Sequence, residues 1–107
     1  MRQSVLVVEN HHDLRSAMVA ALERENFDCD AVLSGDAALL RLKDHDYAYV
    51  FVDEDEATAA QALLQRFADQ PDKLPKLIVL TEYDHQDHER FLQKPFDSKQ
   101  LLARVSA

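Results

Sequence analysis

An aspartate, Asp53, closes the apolar run Tyr49-Val50-Phe51-Val52, and three other reactive side chains hold equivalent places. Glu9 follows Val5-Leu6-Val7-Val8, Thr81 follows Leu77-Ile78-Val79-Leu80, and Lys94 follows Phe91-Leu92-Gln93. Such runs read as strands, and open α/β sheets gather their chemistry at the carboxyl ends of strands. A carboxylate nucleophile, a metal-binding acid, a hydroxyl and a cation are the parts needed to take up and hold a phosphoryl group.

The elements that must position these groups follow from the hydrophobic pattern. The first, third and fourth strand runs are continuously apolar rather than alternating, as expected for parallel strands covered on both faces. Between them lie helical patterns: Leu14, Met18, Ala21 and Leu22; Ala38, Leu39 and Leu42; Ala60, Leu63, Leu64 and Phe67. Asp28-Cys29-Asp30-Ala31-Val32 alternates and reads as an edge strand. Ser34-Gly35-Asp36, with the only glycine, turns the chain into the second helix. Parallel neighbours need a crossover of a dozen or more residues, so strand, helix, strand, helix implies a doubly wound α/β sheet. The flavodoxin-like order 2-1-3-4-5 sets Glu9 and Asp53 side by side at the switch point.

The last third departs from that pattern. With the fourth strand ending at Thr81 and the fifth at Arg90-Phe91-Leu92-Gln93, only Glu82 to Glu89 connects them. Eight residues reach roughly 26 to 29 Å when extended, which allows a loop or a single turn but no ordinary helical crossover. A final helix from Ser98 to Val105, capped by Asp97 or Ser98, is expected to pack Leu101, Leu102 and Val105 on the sheet.

At 107 residues the chain is expected to form one domain, 1–107. A chain of this size buries roughly 60 to 68% of its unfolded surface, enough for a core without disulfides. Cys29 has no second cysteine to pair with, and reads as a small buried apolar residue in a reducing cytoplasm. The apolar runs fall far short of the roughly 18 residues of a membrane span, and Met1-Arg2-Gln3-Ser4 opens no signal peptide. A net charge of −8, from 12 basic and 20 acidic residues, argues against direct nucleic-acid binding and points to proteins or cations as partners.

Taken together, these motifs resemble the receiver domain of bacterial two-component response regulators. Val7-Val8-Glu9-Asn10 is similar to the acidic pair after the family's first strand, and Phe51-Val52-Asp53 to its phospho-accepting aspartate. Leu80-Thr81 matches the fourth-strand Thr/Ser, and Phe91-Leu92-Gln93-Lys94-Pro95-Phe96 matches the aromatic, lysine and proline of the fifth strand. The resemblance implies a signalling domain rather than an enzyme, with Asp53 taking a phosphoryl group from a histidine kinase or phosphotransfer protein. It also implies Mg²⁺ held by Glu9, Asn10, Asp53 and the backbone carbonyl of Asp55. Thr81 and Lys94 would bind phosphoryl oxygens, Phe91 would be the switch aromatic, and Pro95 would follow a cis peptide.

The chain departs from the family pattern in three places. Asn10 replaces the second acid, and a unit charge pair at 4 Å is worth roughly 4 kcal/mol at an effective dielectric of 20 before desolvation, so Mg²⁺ binding should weaken. Glu54-Asp55-Glu56-Ala57-Thr58-Ala59-Ala60-Gln61 lacks the family's proline and glycine, and its acids could attract a cation or repel an anionic donor. The fourth helix is shortened or missing, which removes part of the usual output face and exposes sheet edge that a second copy could cover. The final helix stops soon after it begins, as expected for a domain excised from a longer protein.

Plainer readings and other functions stand beside this one. Glu9, Asp53 and Lys94 could form only a structural ion-pair cluster, Phe91 could be core, and Asp13 is expected to cap the first helix. His11-His12 and Asp84-His85-Gln86-Asp87-His88 have metal-like spacing but read as solvated loops. A degenerate receiver acting as an unphosphorylated interaction or dimerisation module is the alternative function. Asp53-Glu54-Asp55 also resembles the Asp-x-Asp pair of haloacid-dehalogenase-type phosphatases, with Asp55 as acid. That family opens its core with this strand and supplies more acids after its lysine, whereas here only Asp97 follows Lys94.

Overall fold

The computed structural model describes residues 2–56, 58, 62, 65, 69–70, 72 and 74–105. Among them five strands form one parallel sheet in the order β2-β1-β3-β4-β5. The strands are β1 (Ser4–Val8), β2 (Asp28–Val32), β3 (Tyr49–Asp53), β4 (Lys76–Thr81) and β5 (Phe91–Gln93). Three helices are described: α1 (His12–Arg24), α2 (Gly35–Asp44) and α3 (Ser98–Ala103). The doubly wound α/β architecture, its strand order and the edge position of β2 are those expected. The third expected helix, carrying Ala60, Leu63, Leu64 and Phe67, lies outside the described residues.

Continuous apolar runs become buried strands because each face of the sheet is covered. Alternate residues point to opposite faces. Val5, Val7, Phe51, Ile78 and Leu80 pack with Met18 and Leu22 of α1 and with Leu101 of α3. Leu6, Val8, Val50 and Val52 pack on the other face with Ala38 and Leu42 of α2 and with Tyr47. Cys29 joins the first cluster only at its half-buried margin. Burial, reinforced by Glu23 and Asp30, pushes its thiol up to about 12. On β2, Asp30 lies on the α2 side, where Tyr47 Oη donates to Oδ2 at 2.6 Å and Arg41 Nη2 pairs with it at 2.7 Å.

Helix ends are set by backbone satisfaction. Asn26 has φ 66°, a left-handed value that asparagine tolerates better than most residues. Its N–H donates to the Glu23 carbonyl and that of Phe27 to Leu22, the paired bonds of a Schellman ending for α1. Ser34 accepts from the Ala37 N–H at the start of α2, and Asp97 with Gln100 forms a capping box on α3. At α1 the expectation is corrected. His11 is the cap and uses no side-chain bond, while Asp13 is already inside the first turn. An acid there still faces the positive helix end, but it no longer accepts a capping hydrogen bond.

Residues 82–90 join β4 to β5 through bends and one turn, with no helix. The pair nevertheless aligns in register, Val79↔Phe91, Leu80↔Leu92 and Thr81↔Gln93. The fifth strand begins at Phe91 rather than Arg90, and α3 ends at Ala103 although Val105 is buried as expected. The peptide bond between Lys94 and Pro95 is cis.

Candidate functional site

Three backbone arrangements bring the strand-end groups together. The Glu9 N–H donates to the Val32 carbonyl, which extends the β1–β2 ladder by one residue past Val8. Asp53 is paired beside Leu80, and the Lys94 N–H donates to the Thr81 carbonyl at 2.7 Å. Arg15 of α1 then holds the turn after β1, its Nη1 lying 3.0 Å from the Glu9 carbonyl oxygen and 3.1 Å from that of Asn10.

Lys94 Nζ lies 2.6 Å from Asp53 Oδ1 and 3.1 Å from Glu9 Oε1. Glu9 is 2% exposed, so its carboxylate is nearly dry. Burial raises its pKa above the ordinary value, and the negative Asp53 adds to that rise, whereas the bond from Lys94 opposes it. Burial also disfavours the Lys94 cation, yet its bonds to Asp53 and Glu9 outweigh this and raise its pKa. The arrangement is a shared cation between two carboxylates. Asp53 Oδ2 also accepts from the Asp55 N–H at 3.2 Å, within the 3₁₀ turn Glu54–Glu56.

A cavity of about 550 Å³ opens over these groups, lined by Glu9, Asn10, Asp53, Glu54, Lys94 and Tyr83 among others. Its rim is acidic, and Asp55 and Glu82 also line it. Asp53 therefore faces an accessible space with a cation beside it.

Thr81 is placed differently. It is 1% exposed and lines a second cavity of about 250 Å³ with His85, Phe91 and Arg104. Its hydroxyl donates to Glu54 Oε2, accepts from the Tyr83 N–H at 3.1 Å and lies 3.4 Å from His85 Nε2. The half-buried Phe91 ring stacks on His85 at 3.8 Å with an interplanar angle of 5°. The structure thus unites Glu9, Asp53 and Lys94 around one cavity and puts Thr81 and Phe91 around its neighbour, with Glu54 lining the first and bonded to the second.

The residues present suit a hard cation in part. Glu9 Oε2 is buried with no hydrogen-bond partner among the described residues, and an oxygen left in that state is a candidate ligand. Asn10 and Asp53 line the same cavity. No group of three or more His, Cys, Asp or Glu side chains converges to hold a metal among the described residues. A donor set of two carboxylates, one amide oxygen and water is within the habits of Mg²⁺, which keeps several waters, but not of Zn²⁺. His11 and His12 are exposed at the cavity rim, and His88 reaches Asp84 only at 3.9 Å.

Sequence reasoning did not single out Arg15, and it gave neither Glu54 nor His85 a part beside Thr81. Glu54 was visible only as one of four successive acids, and no linear signal tells which of them turns back toward β4.

No protein-family model matches the sequence, and no curated protein matches it. Solved structures do match. The chemotaxis response regulator CheY4 of Vibrio cholerae superposes with a TM-score of 0.84 at 17% identity, over 98% of this chain and 97% of that one. A response regulator from Thermotoga maritima gives 0.79 at 24% identity, over 98% and 95%. A CheY-like receiver domain from Methylobacillus flagellatus gives 0.78 at 25% identity, over 98% and 97%. The chain has the fold of a response-regulator receiver domain. In this receiver fold Asp53, Lys94 and Glu9 occupy the carboxyl ends of β3, β5 and β1. No helix among the described residues is long and apolar enough to cross a membrane.

Proposed function

We propose that this domain receives a phosphoryl group on Asp53 in a phosphorelay, from a phosphohistidine carried by a kinase or phosphotransfer protein. The observation that carries the reading is the Asp53–Lys94–Glu9 constellation under an open cavity, on a receiver fold. A carboxylate oxygen of Asp53 attacks phosphorus, a P–O bond forms as the P–N bond breaks, and the electron pair stays on the imidazole, which takes up a proton. Lys94 is within reach of the developing charge, and its raised pKa keeps it cationic there. Glu9, Asn10 and Asp53, with the Asp55 carbonyl, would hold Mg²⁺, which would screen the negative charge gathered at the phosphoryl group. The domain acts as a signalling acceptor and not as an enzyme turning over a free substrate, and its setting is the cytoplasm.

The test is beryllofluoride, an acyl-phosphate mimic, titrated with millimolar Mg²⁺ and followed by ¹⁹F NMR. Saturable, Mg²⁺-dependent binding that vanishes in Asp53→Ala supports phosphoryl acceptance. Absence of binding in the unaltered protein refutes it. One observation favours a second reading, that of an interaction module working without phosphate: the Thr81 hydroxyl is already bonded to a carboxylate of the chain itself.

A further inference from the structure

The hydrogen-bonding capacity of Thr81 is fully used. A hydroxyl has one proton to give and two lone pairs to receive with. The proton goes to Glu54 Oε2, one lone pair takes the Tyr83 N–H, and the second faces His85 Nε2 at 3.4 Å. With its own proton committed, Thr81 leaves His85 Nε2 the donor role, and the same imidazole lies flat on Phe91. Glu54, Thr81, His85 and Phe91 form one connected series from the residue after the phospho-acceptor to the aromatic ring of β5. Glu54 lines the cavity over Asp53 while Thr81 lines the neighbouring one, so the residue whose carboxylate bonds the hydroxyl also faces the space where a group arriving on Asp53 would sit.

We infer that Glu54 is an internal substitute for a phosphoryl oxygen at Thr81, and that a phosphoryl group on Asp53 must displace it. This rests on the phosphoryl-acceptor reading and names the regulation of that same site. The carboxylate supplies what a phosphoryl oxygen would, an anionic acceptor for the Thr81 proton. It also competes with it, since two anionic acceptors cannot share one hydroxyl proton and they repel each other across the cavity. The Thr81–His85–Phe91 arrangement is thereby set before any phosphate arrives.

Beryllofluoride affinity with Mg²⁺ is measured for the unaltered protein, Glu54→Ala, Glu54→Gln and Asp44→Ala, the last removing one acid from the exposed end of α2. At least tenfold tighter binding is expected for Glu54→Ala. Glu54→Gln should lie between, because its amide oxygen still accepts from Thr81 without the charge, and Asp44→Ala should be unchanged. Equal or weaker binding by Glu54→Ala overturns the inference, as does an equal gain in Asp44→Ala. Should the unaltered protein bind nothing, the phosphoryl-acceptor reading fails, and the substitute role is judged on fluoride-free protein by NMR. There the His85 and Phe91 ring resonances must move in Glu54→Ala and stay in place in Asp44→Ala. Unmoved rings in a folded Glu54→Ala overturn the series.

Discussion

Replacing Lys94 by methionine removes the only basic side chain that bonds Glu9 and Asp53 among the described residues, and it keeps most of the aliphatic stem. Breaking a buried pair from one side costs about 3 to 5 kcal/mol. The side chains are 3% exposed for Glu9, 15% for Asp53 and 21% for Lys94, so Glu9 stays dry while the other two reach water. The lower end, about 3 kcal/mol at pH 7.5, is therefore expected. With about 2.1 cal/mol/K of unfolding entropy per residue over 107 residues, that is a fall of about 13 °C in Tm.

The loss must also depend on pH, with a sign fixed by Glu9. Its folded pKa is raised above 4.5, so its contribution is complete below that value and is lost as pH rises through the folded one. Removing the Lys94 bond and charge raises the folded value further, which extends the losing window upward in the variant. Lys94 itself has a folded pKa raised above 10.5, so its contribution is complete throughout the neutral range. The variant should therefore be less impaired at pH 5.5 than at pH 7.5. Thermal unfolding followed by circular dichroism at the two values reads this directly. Adding Glu9→Gln to Lys94→Met should restore part of the stability at pH 7.5, because the unpaired buried charge is gone. A loss below about 1 kcal/mol, or one equal at both pH values, would refute the account of a shared buried cation.

Asp97→Ala removes the capping box of α3 and should cost about 1 kcal/mol in urea unfolding, with the m-value unchanged. Tyr47→Phe deletes the bond to Asp30 and should cost about 1 kcal/mol. Desolvation tends to raise the Asp30 pKa, but its bonds to Tyr47 and Arg41 prevail and lower it. The carboxylate's contribution is therefore present above pH 3.8 and fades as pH falls through the folded value, so the Tyr47→Phe deficit should shrink in acid unfolding scans. The Cys29 thiol, pushed to about 12 and half-buried, should react with a thiol-specific reagent at pH 8 far more slowly than in denaturant. Equal rates would contradict its packed position.

Much of the architecture was legible because it depends on patterns local in sequence. Val5–Val8, Val50–Val52 and Leu77–Leu80 are apolar on both sides of the pleat, and only a sheet covered on two faces tolerates that. The short stretch between Thr81 and Phe91 leaves no room for a helix, and the structure has none there. Asp97 could be read as a cap because the bond it makes spans three residues. Asp13 misled because the helix begins one residue before it, and a shift of one residue converts a cap into a first-turn acid. At the site, strand ends told which side chains share a rim but not how they divide it. Thr81 opens to one cavity and Asp53 to another, and Tyr83 of the 82–90 loop lines both. Arg15 escaped notice because its partners are the main-chain carbonyls of Glu9 and Asn10, which any residue would offer.

Asn10 and Glu54 are best understood together. Relative to the acidic pair that the resemblance implies after β1, Asn10 gives up one negative charge on the side where Glu9 waits with an unbonded oxygen. Glu54 brings a carboxylate to the opposite side, against the Thr81 hydroxyl. The first change weakens the attraction for a cation that would neutralise an incoming phosphoryl group; the second fills the place one of its oxygens would take. Both act against capture of phosphate, yet neither touches Asp53 or Lys94, whose 2.6 Å contact leaves nucleophile and counter-charge assembled. Under the proposed phosphoryl-acceptor function, such a site would keep the means of forming an acyl phosphate while lowering its equilibrium yield. Occupancy of Asp53 would then depend on a donor held against the cavity rather than on one encountered at random, because holding the donor in place supplies the local concentration that the acidic rim takes away.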